Sequence, residues 1–510
     1  MDVIDLSIFS NRIDALCEEM GAVLRRTAFS PNIVDRLDFS CAIFDQNGRL
    51  CAQAAHIPVH LGSMAYAMTS IVSQVQWADG DMLILNDPFL GGTHLPDVTM
   101  VAPVYINDQL CAFIANRAHH ADIGADAPGS MPISKSLDEE GMIIAPTHIM
   151  RDSRIDESVM DKITCTTRHP GQARGDFSAQ ISANRSGLQR LQELVTGMGL
   201  SQFIDGLDAL NAYASRLAQA TLAQIPSGHY EATDYMDDDG MGNTDIIIKV
   251  KVDITDTTVD VDFTGTADQV QGNINCPLSV TAASVYYVFR CLMPDFTPAC
   301  FGSFEHIRIH APAACLLNAQ RPAAVAAGNV ETSTRIVDVL LLALSEAIPD
   351  YIPAASHGSM NNLAMGVAAD TQSWDYYETI GGGMGAHPLS DGLSAVQTHM
   401  TNTLNTPIEV LEMRYPVRLH HYGIRNHSGG QGQHNGGDGI IREFEFLQPA
   451  SFTLLTERRT RTPWGLAGGE PGLAGANLFN NKPLPGKVSV QASSGDRLCI
   501  KTAGGGGWNV

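Results

Sequence analysis

One change of hydrophobic period constrains this chain more than any other feature. Residues 178–200 (SAQISANRSGLQRLQELVTGMGL) and 206–223 carry apolar side chains at helical spacing, and Pro226, Ser227 and Gly228 then interrupt the pattern. Beyond that break, IIIKVKVDITDTTVDVDFTG (246–265) alternates with a period of two around Asp256, Thr257 and Thr258, a hairpin signature. A chain that passes from runs of helix to runs of strand, without regular strand–helix–strand alternation, is expected to be α+β: mixed, mainly antiparallel sheets with packed helices. At 510 residues it exceeds the roughly 250–300 that one hydrophobic core sustains. At least two domains are therefore expected, an N-terminal one over 1–225 and a C-terminal one with glycine-rich loops over 226–510.

The remaining segments fit this frame. Ile8, Phe9, Ile13, Leu16, Met20, Val23 and Leu24 predict an opening helix with Asp5 or Ser7 as N-cap. FSCAIFD, the turn QNGR and the returning RLCAQAA predict a hairpin. Segments 278–293 and 332–347 read as helices, and short strands separated by glycine clusters follow from Arg418. No repeat of 20–50 residues is present.

Composition narrows the function. The formal charge of −23 repels a phosphate backbone, so nucleic acid is a poor partner. Ten cysteines without a CxxC pair point to reduced core residues rather than a zinc ribbon or redox centre. The N-terminus lacks the basic and apolar regions of a secretory signal, and no apolar run approaches the ~18 residues of a membrane span. The expectation is a cytoplasmic enzyme or enzyme subunit with no membrane partner.

Candidate chemistry concentrates in NDPFLGGTHLPDVTMVAPVY (86–105), where His94 and Asp97 sit three positions apart in a turn before an apolar run. Gly91 and Gly92 permit unusual backbone angles and Pro96 stiffens the bridge. A second cluster, His119, His120, Asp122 and Asp126, follows the apolar run LCAFIAN. Pairing of 97–106 with 110–116 around Asn107 and Asp108 brings His94, Asp97 and His119 to the open end of one hairpin, with Asp38 opening a strand beside them. A lone HxxD is more often surface polarity or a turn stabiliser; the adjacent HHAD strengthens the metal reading without settling it. Two imidazoles with two carboxylates suit Zn²⁺ or Mn²⁺, with iron a further option.

Other features carry less. The glycine clusters at 380–392, 427–439 and 466–472 contain no phosphate-loop motif, and Asn435 spoils GxGxxG. They read chiefly as tight turns, with contact to substrate or a partner subunit as the alternative. No GxSxG elbow is present. Arg458, Arg459 and Arg461 read as a solvated or subunit-facing strand end rather than an anion site.

Taken in order, DFSCAIFD, NDPFLGGTHLPDV, HHADIG, GDFSAQISAN, PAAVAAGNVETSTRIVD, GAHPLSDGLSAVQ, NTPIEVLE, RNHSGGQGQHNGGDGIIRE and PWGLAGG resemble the B-type family of the N-methylhydantoinase and oxoprolinase group (hydantoinase B). That group is related to the alpha subunits of acetone carboxylase. The resemblance implies one divalent metal held by Asp38, His94, Asp97 and His119; beside such a site, Asp122 or His120 is a candidate to support the ligands or to move a proton. It also implies a hetero-oligomer in which an A-type ATPase subunit uses ATP and Mg²⁺ to activate a small cyclic amide for hydrolysis by this chain. The alternatives are the alpha-type subunit of an ATP-dependent ketone carboxylase and a non-catalytic, metal-stabilised scaffold. One departure stands beside the site: Ala125 follows Gly124 where relatives commonly carry a second glycine.

Overall fold

A computed structural model describes residues 1–54, 56–367 and 373–510. The opening helix, Val3–Thr27, starts earlier than its apolar stripe predicts, because Val3 and Ile4 face outward. Its N-cap is Asp2, whose carboxylate accepts from the Asp5 amide at 2.8 Å, rather than Asp5 or Ser7. Phe9, Ile13, Leu16, Met20 and Leu24 are buried, and the helix packs on the long helix Pro170–Met198. That second helix begins eight positions before Ser178; PGQARGD has no apolar stripe, and Pro170 in the first turn marks its start instead.

These helices cover one face of a seven-stranded antiparallel sheet. Its strands are β1 (Phe39–Asp45), β2 (Leu50–Gln53), β3 (Met82–Leu85), β4 (Asp97–Ile106), β5 (Gln109–His119), β6 (Thr147–Arg151) and β7 (Arg154–Ile155). They lie in the order β2-β1-β5-β4-β3-β6-β7. The Asn47–Gly48 turn joins β1 to β2 as expected, with Asp45 accepting from the Asn47 and Arg49 amides. Ala55, the last residue of the expected returning strand, lies outside the described residues. Asn107 and Asp108, both at positive φ, close the β4–β5 hairpin. Their register sets Asp97 opposite His119, and β1 lies beside β5 so that Asp38 O accepts from the His119 amide. The site is assembled by this register.

After the helix Leu200–Leu222 the chain turns at 223–227 into strand, as the change of period predicts. Thr244–Ile254 and Val259–Asp262 form the expected hairpin around Asp256, Thr257 and Thr258, and Gly228–Asp238, a strand not expected, pairs along the other edge of Thr244–Ile254. Ile307–His310 adds a parallel edge beside Val259–Asp262. The expected helices at 278–293 and 332–347 form as Leu278–Leu292 and Ser333–Ala347. The first crosses the helix Pro58–Gln74 so closely that a Cβ on Gly62 would lie 2.6 Å from Ala283 Cα. The largest apolar cluster runs from Ile57 and Val59 through Leu222 to Leu455, across the change of period. A four-stranded and a five-stranded antiparallel sheet from 362–501 sandwich Leu363, Tyr376, Phe444, Phe452 and Ile500. The fold is α+β.

Two expectations change. The glycine clusters keep short turns, at 387–390 and at Gly468 (φ +96°), but most of their length is extended and packed backbone to backbone: Gly437 N donates to Met384 O at 2.8 Å, and Gly505 N to Gly437 O at 2.9 Å. A Cβ on Gly437 would lie 1.9 Å from Leu393 O, so only hydrogen fits. Arg458 and Arg459 are also not solvated. Arg458 is buried between the carboxylates of Asp234 at 3.0 Å and Asp338 at 2.5 Å, and half-buried Arg459 donates to the side-chain oxygens of Asn361 and Asn477, so acceptors on neighbouring elements take the place of water. Arg461 alone of the three pairs near the surface, with Asp245.

Most of the ten cysteines are buried thiols, with Cys165 and Cys291 exposed. Among the described residues no helix is long and apolar enough to cross a membrane. Gly437→Ala is expected to destabilise the protein by more than about 3 kcal/mol or to prevent folding. Gly197→Ala, at an exposed helical position with open space around its Cβ, is expected to stabilise by about 0.5–1 kcal/mol. Denaturant unfolding of both variants checks the pair.

Candidate metal centre

The turn before β4 is fixed by its own backbone. Asp87 caps the turn by accepting from the Phe89 amide, Gly91 sits at φ +104°, and Gly92 N donates to Asp87 O at 2.8 Å. A Cβ on Gly92 would stand 2.4 Å from Asn86 O, which explains the glycine. The Asn86 side chain ties the loop down by donating to Leu95 O and Met142 O.

Asp97 is the centre of what this turn presents. Its Oδ1 lies 3.3 Å from His94 Nε2 and 3.2 Å from His119 Nδ1. Its Oδ2 accepts from Thr93 Oγ1 at 2.6 Å and Asn329 Nδ2 at 3.2 Å, with His60 Nε2 at 3.2 Å. All three residues of the His94, Asp97 and His119 group are buried, and one ligand atom from each lies within 4.8 Å of the others. His94 Nδ1 donates to Ala326 O at 3.1 Å, which leaves Nε2 as the nitrogen turned to the cluster. His119 stacks on Tyr377 at 4.8 Å between centroids, and its Nε2 is buried without a partner among the described residues.

The charges are strongly coupled. Burial alone would raise the Asp97 carboxyl, but the imidazoles of His60 and His94 and the hydrogen bonds to it hold it well below the usual range. Burial pulls His94 down and Asp97 more than offsets it, so this imidazole is held above its ordinary value. For His119 burial dominates and favours the neutral ring, the form that ligates. A cavity of about 20 Å³, lined by Asp38, His60, His94, His119, Asn329 and Tyr377, adjoins the group. The room, the orphaned nitrogen and the N/O donor set are what a small divalent ion requires.

Asp38 lines that cavity from the start of β1, but its carboxylate lies 3.9 Å from His60 Nε2 and 3.6 Å from Arg36 Nη2, outside the tight group of three. His120 and Asp122 stand apart from the group. His120 stacks on Phe177 at 4.2 Å with Nε2 on Gln180 Oε1, while Asp122 accepts from the Gly124 and Arg168 amides. Asp126 is exposed. Sequence reasoning missed His60, Thr93, Asn329 and Tyr377. Only His60 had a usable signal, a histidine two residues after the Pro58 that opens a buried helix.

Known proteins agree with this architecture. A family model described as hydantoinase B/oxoprolinase matches residues 2–509. The chain belongs to that family. It is 40% identical to 5-oxoprolinase 1 of Arabidopsis thaliana, over 99% of this chain and 42% of the plant protein. It is 30% identical to a Pseudomonas protein named as the B-type subunit of a D-/L-hydantoinase, over 100% of this chain and 90% of that protein. The crystal structure of an ATP-dependent caprolactamase from Pseudomonas jessenii superposes with a TM-score of 0.93 at 25% identity, covering 100% of this chain and 91% of the other. This member of the hydantoinase B/oxoprolinase family thus spans less than half the length of the 5-oxoprolinase it matches.

Asn329 comes from a π-helical turn, Gly328–Thr332, that also carries Glu331. Burial pushes the Glu331 carboxyl from 4.5 up to about 8, while Oε1 accepts from Met360 N at 2.9 Å and Asn362 Nδ2 at 2.7 Å. Folded protein therefore keeps a proton that unfolded chain loses, and stability falls as pH rises from about 4.5 to about 8. Glu331→Gln is expected to make that fall shallower, read as melting temperature against pH; an unchanged slope contradicts the assignment.

Proposed function

We propose that this chain is the metal-dependent ring-opening component of an ATP-dependent cyclic amide hydrolase, acting on oxoproline, hydantoin or a related lactam. The observation that carries the reading is the buried His94, Asp97 and His119 group beside its small cavity. Relatives named as 5-oxoprolinase and as the B-type subunit of a hydantoinase, and the fold shared with an ATP-dependent caprolactamase, support the reaction class. An A-type ATPase partner using ATP and Mg²⁺ belongs to the proposal, because the sequence carries no phosphate-loop motif.

His94, Asp97 and His119 are the residues that would hold the divalent ion, with Asp38, just before β1 in the lining of the same cavity, as the fourth candidate. When bound, such an ion supplies Lewis-acid polarisation of a carbonyl oxygen. The chain's own residues do the positioning. The Nδ1–H bond to Ala326 O aims His94, stacking on Tyr377 fixes the plane of His119, and Thr93, Asn329 and His60 secure Oδ2 of Asp97 so that Oδ1 faces the imidazoles. His60 Nε2, between Asp97 and Asp38, is placed to hold a proton within the cavity. At about 20 Å³ the cavity takes an ion or one water and excludes a lactam ring, so the ring enters only when a wall moves. Burial of the whole group keeps bulk water from the reacting atoms.

Purified protein is expected to carry about one divalent ion per chain by plasma mass spectrometry, lost in His119→Ala. Asn329→Ala is expected to weaken metal binding by roughly 10–100-fold while the protein stays folded. With an A-type partner, ATP and Mg²⁺, lactam hydrolysis should proceed without bicarbonate, and the chain alone should show no ATPase activity. A strict bicarbonate requirement would replace hydrolysis with carboxylation. Loss of folding and assembly together in Asp97→Asn would favour a scaffold; a folded, assembled and inactive complex rejects it.

A further inference from the structure

Consecutive residues at the end of β5 serve two different cavities. His119 lines the small one at the metal centre, and His120 lines a larger one of about 300 Å³ bounded by Phe29, the start of the helix Pro170–Met198, and the β-strand that carries Trp374 and Asp375. The larger cavity is built from two kinds of wall. One is aromatic: Trp374 and Tyr415, with ring centroids 5.5 Å apart at 44°, and Phe29, which is 63% exposed. The other is acidic: Asp122, Asp176 and Asp375.

The cations nearby, Arg168 beside the cavity and Arg414 and His169 in its lining, offset this wall only in part. Arg168 Nη1 is shared between Asp122 at 3.3 Å and Asp375 at 3.4 Å, and Arg414, which lines the cavity, lies 3.7 Å from Asp35. Asp176 spends Oδ1 on the amides of Phe29 and Ser30, and Asp375 spends Oδ1 on the amide of Gly129. Asp375 Oδ2 is buried and has no hydrogen-bond donor among the described residues. An acceptor without a donor, an excess of carboxylates and aromatic rings together favour one ligand class.

We propose that this cavity binds a primary ammonium group on an apolar chain, the amino end of the ring-opened product. The product assignment rests on the ring-opening reading above. When the ring is a simple lactam, water adds to the carbonyl carbon, the C–N bond breaks, the carbon keeps the water oxygen as a carboxylate, and the nitrogen leaves as an amine that is an ammonium at neutral pH. A hydantoin opens to an uncharged ureido group, which this cavity would not select. A lactam carries no such cation, so the cavity discriminates product from substrate, and His120, next in sequence to His119, places it at the same end of β5 as the metal centre. Burial and the neighbouring Asp122 push the Asp375 carboxyl up to about 6, a strain that a bound cation relieves.

The test uses the full chain with n-pentylammonium as probe, and pentanoate and pentanamide as controls, read by calorimetry and by saturation-transfer NMR. Saturable binding of pentylammonium alone is expected, weakened about tenfold or more in Asp375→Asn and in Phe29→Ala, and unchanged in His119→Ala. Phe29 is exposed, so that variant folds even if Asp375→Asn does not. Failure of pentylammonium to bind, equal binding of pentanoate, or indifference to both cavity variants overturns the proposal. Amine binding in a chain that opens no lactam would remove the ring-opening reading and leave the ammonium site standing; lactam hydrolysis without amine binding would do the reverse.

Discussion

A single buried carboxylate organises the centre of this protein. Ionised Asp97 has no access to water, and an uncompensated charge there would cost several kcal/mol, of the order that breaks a marginally stable fold. It is instead met by Thr93 and His94 from its own turn, His119 from the neighbouring strand, His60 from the helix Pro58–Gln74 and Asn329 from the π-helical turn. Satisfying that one charge therefore requires elements spread from residue 60 to residue 329 to be in register. The same requirement leaves His94 and His119 aimed at a common point, which is what a metal needs.

The rest of the molecule holds those elements in place by unusually close approach. Gly62 against Ala283 lets two helices meet near the centre, and Gly437 and Gly505 let extended backbone pack on backbone. Buried ion pairs then join distant elements: Arg335 and Lys487 converge on Glu457, while Arg458 bridges Asp234 and Asp338. Such pairs contribute little net stability, but removing one partner is costly, so they penalise any misregistered arrangement.

How much of this can be read from the sequence follows from how local each signal is. The β4–β5 hairpin announces itself through Asn107 and Asp108, and its register brings His94, Asp97 and His119 together as the spacing implies. His120 and Asp122 look equivalent to His119 in sequence, yet neighbouring residues at a strand end point in opposite directions, and these two face another cavity. Asn329 is 232 positions from Asp97, and Tyr377 reaches His119 from a different sheet; no local pattern encodes either contact. Glycine clusters mislead for a related reason. Glycine serves turns and close packing alike, and only the packing partner tells them apart.

Whether Asp97 and its two imidazoles hold a metal is decided by an anomalous difference map from crystals of the full chain loaded with Mn²⁺ or Zn²⁺, collected on both sides of the metal's absorption edge. One strong peak is expected in the small cavity, within about 2.0–2.3 Å of nitrogen from His94 and His119 and of an Asp97 oxygen. A clean map at that position in metal-loaded crystals, or a peak held by other residues, would contradict the assignment.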